Sequence, residues 1–127
     1  MTIRLPGEVR EAILTHAANC EPEECCGLLA SNASGEVRFV YPLTNSDHSE
    51  RSFTIEESES YSAFLHADRS GWSISGVFHS HPRGPDVLSD RDLDGAVDSG
   101  WLHVLVSPGG LRAFRVEGGA AVEVELI

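Results

Sequence analysis

The run His79-Ser80-His81-Pro82, followed by Ser89 and Asp92, holds the residues best equipped for chemistry in this 127-residue chain. Positions i and i+2 of a strand point to one face, so His79 and His81 can aim two imidazoles at a single point. Pro82 favours an extended His81, because the residue before a proline is pushed out of the helical region. Asp92 then falls one turn into a helix that starts near Ser89. Two imidazoles and a carboxylate form a borderline-hard donor set that suits zinc. Three protein ligands leave a fourth position for water, which marks a catalytic rather than a structural zinc site. Each part also has an ordinary structural role. A His-x-His on a strand is by itself more often structural than metal-binding, and Ser89-x-x-Asp92 is a helix-start signature with Ser89 as N-cap. The two roles of Ser89 are compatible. Asp90 in the first turn suits the positive end of the helix dipole.

The elements that must position these residues are readable from periodicity. Gly7 to Asn19 sets Val9, Ile13 and Leu14 at helical spacing. Glu24 to Ala30 is a short, mostly apolar run that reads as a buried strand. Asn32 to Gly35 supplies a hairpin turn, and Val37 to Tyr41 alternates as a strand. Ser52 to Ile55 is a short strand candidate. Glu56 to Arg69 carries Tyr61, Phe64 and Leu65 at i, i+3, i+4, a second amphipathic helix. Trp72 to His81 reads as a central strand buried on both faces. Pro82, Gly84 and Pro85 break it into a loop, and Ser89 to Ser99 reads as a third helix. Strands follow at Leu102 to Val106, Leu111 to Val116 and Ala121 to Leu126. Helices interleave with strands joined by tight turns. The fold class is therefore α/β, a mixed sheet flanked by about three helices in a single domain over residues 1–127.

Composition removes several functions. Nine basic residues, all arginine, stand against twenty acids, a formal net charge of −11. Nucleic acid and anionic membranes both need a positive face to displace counterions, so neither is an expected partner. No apolar run approaches the roughly 20 residues of a membrane span. The N-terminus shows no signal-peptide pattern, and three cysteines are too few for a disulfide framework, so a reducing cytoplasm is expected. Cys25 and Cys26 invite a thiol-protease reading, but buried cysteine is usually inert packing. The His-x-Glu and Pro-Cys-x-x-Cys signature of the zinc deaminases is absent. His103 reads as a satisfied structural histidine, and His16, His48 and His66 as surface residues. Arg83 stands where it could meet a substrate carboxylate, although solvation is its ordinary role. Five acids lie between Asp86 and Asp98, opposed in sequence only by Arg91. They suggest an acidic mouth around the metal loop, although solubility and helix-dipole matching would place the same residues there.

From His79 to Asp92 the order His-Ser-His-Pro, six residues, Ser, two residues, Asp resembles the JAMM (MPN+) signature of zinc metallopeptidases. Upstream, Glu24-Cys25-Cys26-Gly27-Leu28-Leu29 resembles the acidic motif that opens the same domain. The resemblance covers nearly the whole chain and is to the minimal prokaryotic form, similar to peptidases that release cysteine from a sulfur-carrier protein. It implies a cytidine-deaminase-like architecture, one zinc ion bound by His79, His81 and Asp92, and Glu24 as general acid/base toward the zinc-bound water. Ser89 would hydrogen-bond the developing oxyanion. Spacing alone does not choose Glu24 over Glu21 or Glu23, and a solvated charge at a loop-to-strand boundary is its ordinary reading. The implied partner is a ubiquitin-like or sulfur-carrier protein whose Gly-Gly tail could add beside a sheet edge such as Ser52 to Ile55. Sheet edges also allow pairing into a homodimer. Only 35 residues follow Asp92, which leaves no length for the insertions of eukaryotic deubiquitinating relatives. The alternative is a non-catalytic MPN-type interaction scaffold, but such scaffolds typically lack the ligands present here. A role beside DNA, suggested by a repair-associated family with a similar motif, lacks the basic patch it would need.

Overall fold

The strand carrying the two histidines lies inside a seven-stranded mixed sheet. The structure is a computed structural model and describes residues 1–96 and 100–127. In chain order the elements are β1 (Thr2–Ile3), α1 (Gly7–Cys20), β2 (Cys26–Ser31), β3 (Val37–Leu43), α2 (Glu57–Arg69), β4 (Ser73–Ser80), α3 (Asp90–Gly95), β5 (Leu102–Ser107), β6 (Gly110–Glu117) and β7 (Ala120–Leu126). The spatial order is β1-β7-β6-β5-β4-β2-β3. β4 pairs parallel with β5, and β1 pairs parallel with β7; the other neighbours are antiparallel.

Strand alternation divides the core between the two faces. On one face Leu29, Phe78, Val104 and Ala113 pack with Val9, Ile13 and Ala17 of α1. On the other, Leu28 and Val77 pack with Ala63 and Ala67 of α2, and Leu105 and Phe114 pack with Leu88 and Leu93 around α3. His79 shares this second face, two residues beyond Val77. The C-terminal half of β4 is buried on both sides, as a central strand requires. Gly27 in β2 stands opposite Phe78, and a β-carbon there would overlap the Phe78 ring and the Tyr41 carbonyl oxygen. Glycine is therefore a packing requirement of β2.

Three expectations change, and one element was not expected. Ser52 to Ile55 is not a strand; it makes one isolated bridge, Asn45 with Ile55. The reason is Asn45, whose side chain takes up backbone groups that a ladder would otherwise pair. The third helix is shorter, ending at Gly95; the expected extension over 97–99 lies outside the described residues. His16 is half-buried rather than on the surface, with its Nε2 2.9 Å from the Leu43 carbonyl and 3.2 Å from that of Cys26. It ties α1 to the ends of β2 and β3. Lastly, the N-terminus contributes β1, too short to carry a period. No helix among the described residues is long and apolar enough to cross a membrane.

Candidate metal centre

His79 ends the buried part of β4, and His81 lies just past its last residue. The His81 N–H donates to the Val106 carbonyl at 2.8 Å, so the β4–β5 pairing continues through it. Both imidazoles consequently keep one face, and their Nε2 atoms are 3.2 Å apart. Asp92 Oδ2 reaches 3.1 Å from His79 Nε2 and 3.2 Å from His81 Nε2. The helix cap makes this possible. The Ser89 hydroxyl accepts the Asp92 N–H at 3.0 Å, and Asp92 Oδ2 accepts the Ser89 N–H at 2.9 Å. The capping box and the convergence of donors thus use the same carboxylate oxygen.

The triangle is unusual for hydrogen bonding alone. His81 Nδ1 lies 2.8 Å from the Pro85 carbonyl, which only accepts, so Nδ1 carries the proton. A neutral His81 then leaves its Nε2 bare, and in the metal-free chain a proton on an imidazole Nε2 is what ties the rings to Asp92 Oδ2. A cation can replace that proton, because all three atoms, 3.1–3.2 Å apart, can turn lone pairs to it. A tetrahedral zinc with bonds of about 2.0 Å holds its donors roughly 3.3 Å apart, so the spacing fits. His79 stacks on Phe53, with ring centroids 4.6 Å apart. Its Nδ1 is buried with no partner among the described residues.

Glu24 is 4% exposed, whereas Glu21 is exposed and Glu23 half-buried. Burial thus makes the choice that spacing could not. Several bonds fix it. Its N–H donates to the Ser49 carbonyl at 2.9 Å, and its carbonyl accepts from Asn45 Nδ2 at 3.0 Å. The next residue, Cys25, donates its N–H to the Ser80 hydroxyl at 2.8 Å. Ser80, between the two histidines and pointing the other way, therefore clamps the segment that carries the carboxylate. One donor atom each of Glu24, His79 and His81 lies within 4.8 Å of the others. The tighter spacing belongs to Asp92, and Glu24 Oε1 is buried without a hydrogen-bond partner among the described residues.

Electrostatics separates the two carboxylates. Burial raises the Glu24 carboxyl to about 7, opposed in part by His81. Burial pushes Asp92 the same way, but hydrogen bonds from His79, His81 and the Ser89 backbone outweigh it and hold the group well below the usual carboxylate range. Burial lowers His79, which keeps it neutral and able to bind a metal. Burial also lowers His81, but Asp92, the Pro85 carbonyl and Glu24 prevail and raise it. Cys25 and Cys26 are pushed up to about 12 by burial, so neither thiol is poised as a nucleophile.

Two clefts flank the centre. One of about 560 Å³ lies on the His79 and Asp92 side, between the 52–55 segment and α3, with Phe53, Ile55, Val77 and Trp101 in its wall. His103, buried, belongs to this wall too, and no side-chain hydrogen bond holds it among the described residues. The second cleft, about 420 Å³, is more polar and is lined by Glu24, Arg51, His81, Arg83 and Ser89. Arg83 is exposed, 3.7 Å from Glu50. His48 and His66 are exposed and away from the centre, as expected. Asn45 and the Pro85 carbonyl were not foreseen. A carbonyl leaves no trace in residue type. Asn45 showed only as part of the polar run Thr44-Asn45-Ser46-Asp47.

Residues 6–117 match the family described as prokaryotic homologs of the JAB domain. The chain is similar to a desampylase of Haloferax volcanii, 29% identical over 114 residues, covering 85% of this chain and 82% of the relative. It is similar to a probable TtuB-protein conjugate cleaving protease of Thermus thermophilus, 28% identical over all of this chain and 84% of the relative. A CysO-cysteine peptidase of Mycobacterium tuberculosis is 26% identical over 88% of this chain and 81% of its own. A protein of Desulfitobacterium hafniense solved in solution superposes with a TM-score of 0.87 at 32% identity, covering all of this chain and 92% of that one. A JAB1/MPN domain protein of Archaeoglobus fulgidus shares the fold at a TM-score of 0.65 and 21% identity, over 100% of this chain and 97% of that one.

Proposed function

Because the chain belongs to the prokaryotic JAB-domain family, we propose that residues 1–127 form one zinc-dependent peptidase or isopeptidase domain. Its reaction is hydrolysis of the amide bond after the C-terminal Gly-Gly tail of a ubiquitin-like or sulfur-carrier protein, with cysteine as one amine it can release. The names of the relatives support this substrate class. The observation that carries the reading is the meeting of His79, His81 and Asp92 donors at 3.1–3.2 Å beside a buried, unpartnered Glu24 oxygen. A non-catalytic scaffold has no need of that arrangement.

His79, His81 and Asp92 would hold one zinc ion. The chemistry zinc supplies in such a site is polarisation of a carbonyl and a lowered pKa for water, from about 15.7 toward 7. Glu24, buried with Oε1 turned to the donor set, takes a proton from the attacking water at Oε1 and returns it to the leaving amine. The Ser89 oxygen is already used as an acceptor by the Asp92 N–H, so its hydroxyl proton is free to donate to the carbonyl oxygen that gains charge. The apolar cleft suits the tail on the acyl side, and the polar cleft with Arg51 and Arg83 suits the carboxylate of a released amino acid.

The test is incubation with Gly-Gly-tailed carriers joined to a free amino acid or to a lysine side chain, followed by intact mass, with and without chelator. The expected result is chelator-sensitive loss of the adduct mass. No such loss with any Gly-Gly-tailed partner refutes the function, and zinc content measured alongside separates an inactive scaffold from an inactive enzyme.

A further inference from the structure

We propose that Arg112 is a positioning residue for the metal centre, acting through the loop that joins His81 to Ser89. This rests on the zinc reading of His79, His81 and Asp92. Arg112 sits on β6 opposite Leu105, which in turn pairs with His79 across β5 and β4. Its guanidinium is fixed from behind. Nε and Nη2 donate to the two oxygens of Glu123 on β7 at 2.8 and 2.6 Å, a bidentate pair. The guanidinium carbon also lies 5.3 Å from the centre of the Phe114 ring. Nη1 is left pointing at the metal loop. It donates to the Asp86 carbonyl at 3.0 Å and lies 3.1 Å from Asp86 Oδ2.

Asp86 adjoins Pro85, whose carbonyl accepts from His81 Nδ1 at 2.8 Å. A chain of contacts therefore runs from Glu123 through Arg112 and Asp86 to the carbonyl that sets the tautomer of a metal ligand. Leu88, buried against Leu105 and Phe114, pins the far side of the loop. Between His81 and Leu88, the other side-chain tie among the described residues is Arg83 to Glu50, at 3.7 Å between exposed groups. Arg112 is one-third exposed, and an ion pair so placed adds little to global stability. Its effect falls instead on where the Pro85 carbonyl stands. A group that hydrogen-bonds a metal ligand directly, as the Pro85 carbonyl does, typically changes metal affinity by about 10- to 100-fold when removed, and Arg112, one contact further out, falls at the lower end of that range. Two of the acids expected to form an acidic mouth are thus engaged, Asp86 by Arg112 and Asp92 by the histidines.

The test uses the whole chain with R112A, R112K and D86A. Zinc affinity is read by competition with a chromophoric chelator, and the thermal midpoint is read without metal. In the metal-free chain, long-range nitrogen–proton correlations of the imidazoles report the His81 tautomer. R112A is expected to weaken zinc binding about tenfold, to shift the metal-free midpoint by only a few degrees, and to turn the single Nδ1–H form of His81 into a mixture. R112K lacks the planar fork and should recover only part of the affinity. D86A should act in the same direction as R112A, and the double variant should be no worse than R112A alone. Zinc affinity within twofold of the parent in R112A, together with an unchanged tautomer, overturns the proposal. So does a loss of affinity matched by a large fall in the metal-free midpoint. If the parent itself binds no zinc, the metal-centre reading fails, while the tautomer measurement still decides the role of Arg112.

Discussion

Replacing Glu24 by glutamine separates a proton carrier from a metal ligand, and the structure sets the size of each effect. Glu24 is buried, its Oε1 has no partner, and burial raises its carboxyl from 4.5 to about 7. Between those two values the unfolded chain ionises Glu24 while the folded, metal-free chain keeps it protonated. Metal-free protein therefore loses stability from this group as pH climbs from about 4.5 to 7, and the loss is complete above 7. E24Q carries no charge in either state and escapes the loss. The full shift corresponds to roughly 3 kcal/mol. Solvent in the polar cleft that Glu24 lines screens part of it, leaving about 1–2 kcal/mol. For a domain of this size that is a gain of about 3–8 °C in midpoint at pH 8 and almost none at pH 4.5. His79, His81 and Asp92 titrate in both proteins, so the difference between them reports Glu24 together with its coupling to His81 and Asp92. Turnover should fall roughly 100- to 10,000-fold, the range a general acid/base supplies. Zinc content of the purified variant should match the parent. Elemental analysis, intact-mass turnover and thermal melts at two pH values measure all three quantities. Loss of zinc from E24Q would make Glu24 a ligand, turnover within tenfold of the parent would remove it from the chemistry, and a lower midpoint at pH 8 would refute the electrostatic account.

His81→Ala should lose the zinc itself, seen as absent metal in a protein that still melts cooperatively; retained stoichiometric zinc refutes its place in the donor set. Gly27→Ala should destabilise by roughly 3 kcal/mol, because the Phe78 ring can tilt but the Tyr41 carbonyl is held in the sheet. A denaturant midpoint that barely moves would show that β2 has room there. Ser89→Ala should cost about 1 kcal/mol through the lost cap, and turnover should drop roughly 100-fold or more through the lost donor. Ser89→Asp should restore the cap without the turnover, and recovery of both would exclude the hydroxyl from catalysis. Asn45→Ala removes bonds to the Glu24 and Ser52 carbonyls and to the Asp47 and Thr54 N–H groups, and should destabilise by about 2–4 kcal/mol. Hydrogen exchange that stays slow across residues 45–54 in this variant would show that the loop holds without it.

The parts of the centre that follow from local geometry were legible in the residues themselves. Strand alternation places His79 and His81 on one face whatever surrounds them, and a Ser-x-x-Asp start brings Asp92 back over the helix N-terminus. The helices α1 and α2 and most strand cores follow from periodicity for the same reason, since each is set by residues within a few positions. Glu24 is the intermediate case. Three glutamates within four residues look alike until the fold buries one of them, and only the motif resemblance singled it out. The remaining features are decided across long stretches of chain. Asn45 replaces the expected strand at Ser52 to Ile55 because its side chain competes for backbone groups of that segment seven and nine residues away. His16 is drawn under β2 and β3 by carbonyls up to 27 residues on. Arg112 meets Asp86 across 26 residues because β6 lies beside β5, which lies beside β4. Residue types and spacing determine which donors exist and how neighbours point. Burial, and with it the pKa of Glu24 and the tautomer of His81, belongs to contacts that form only when the sheet is assembled.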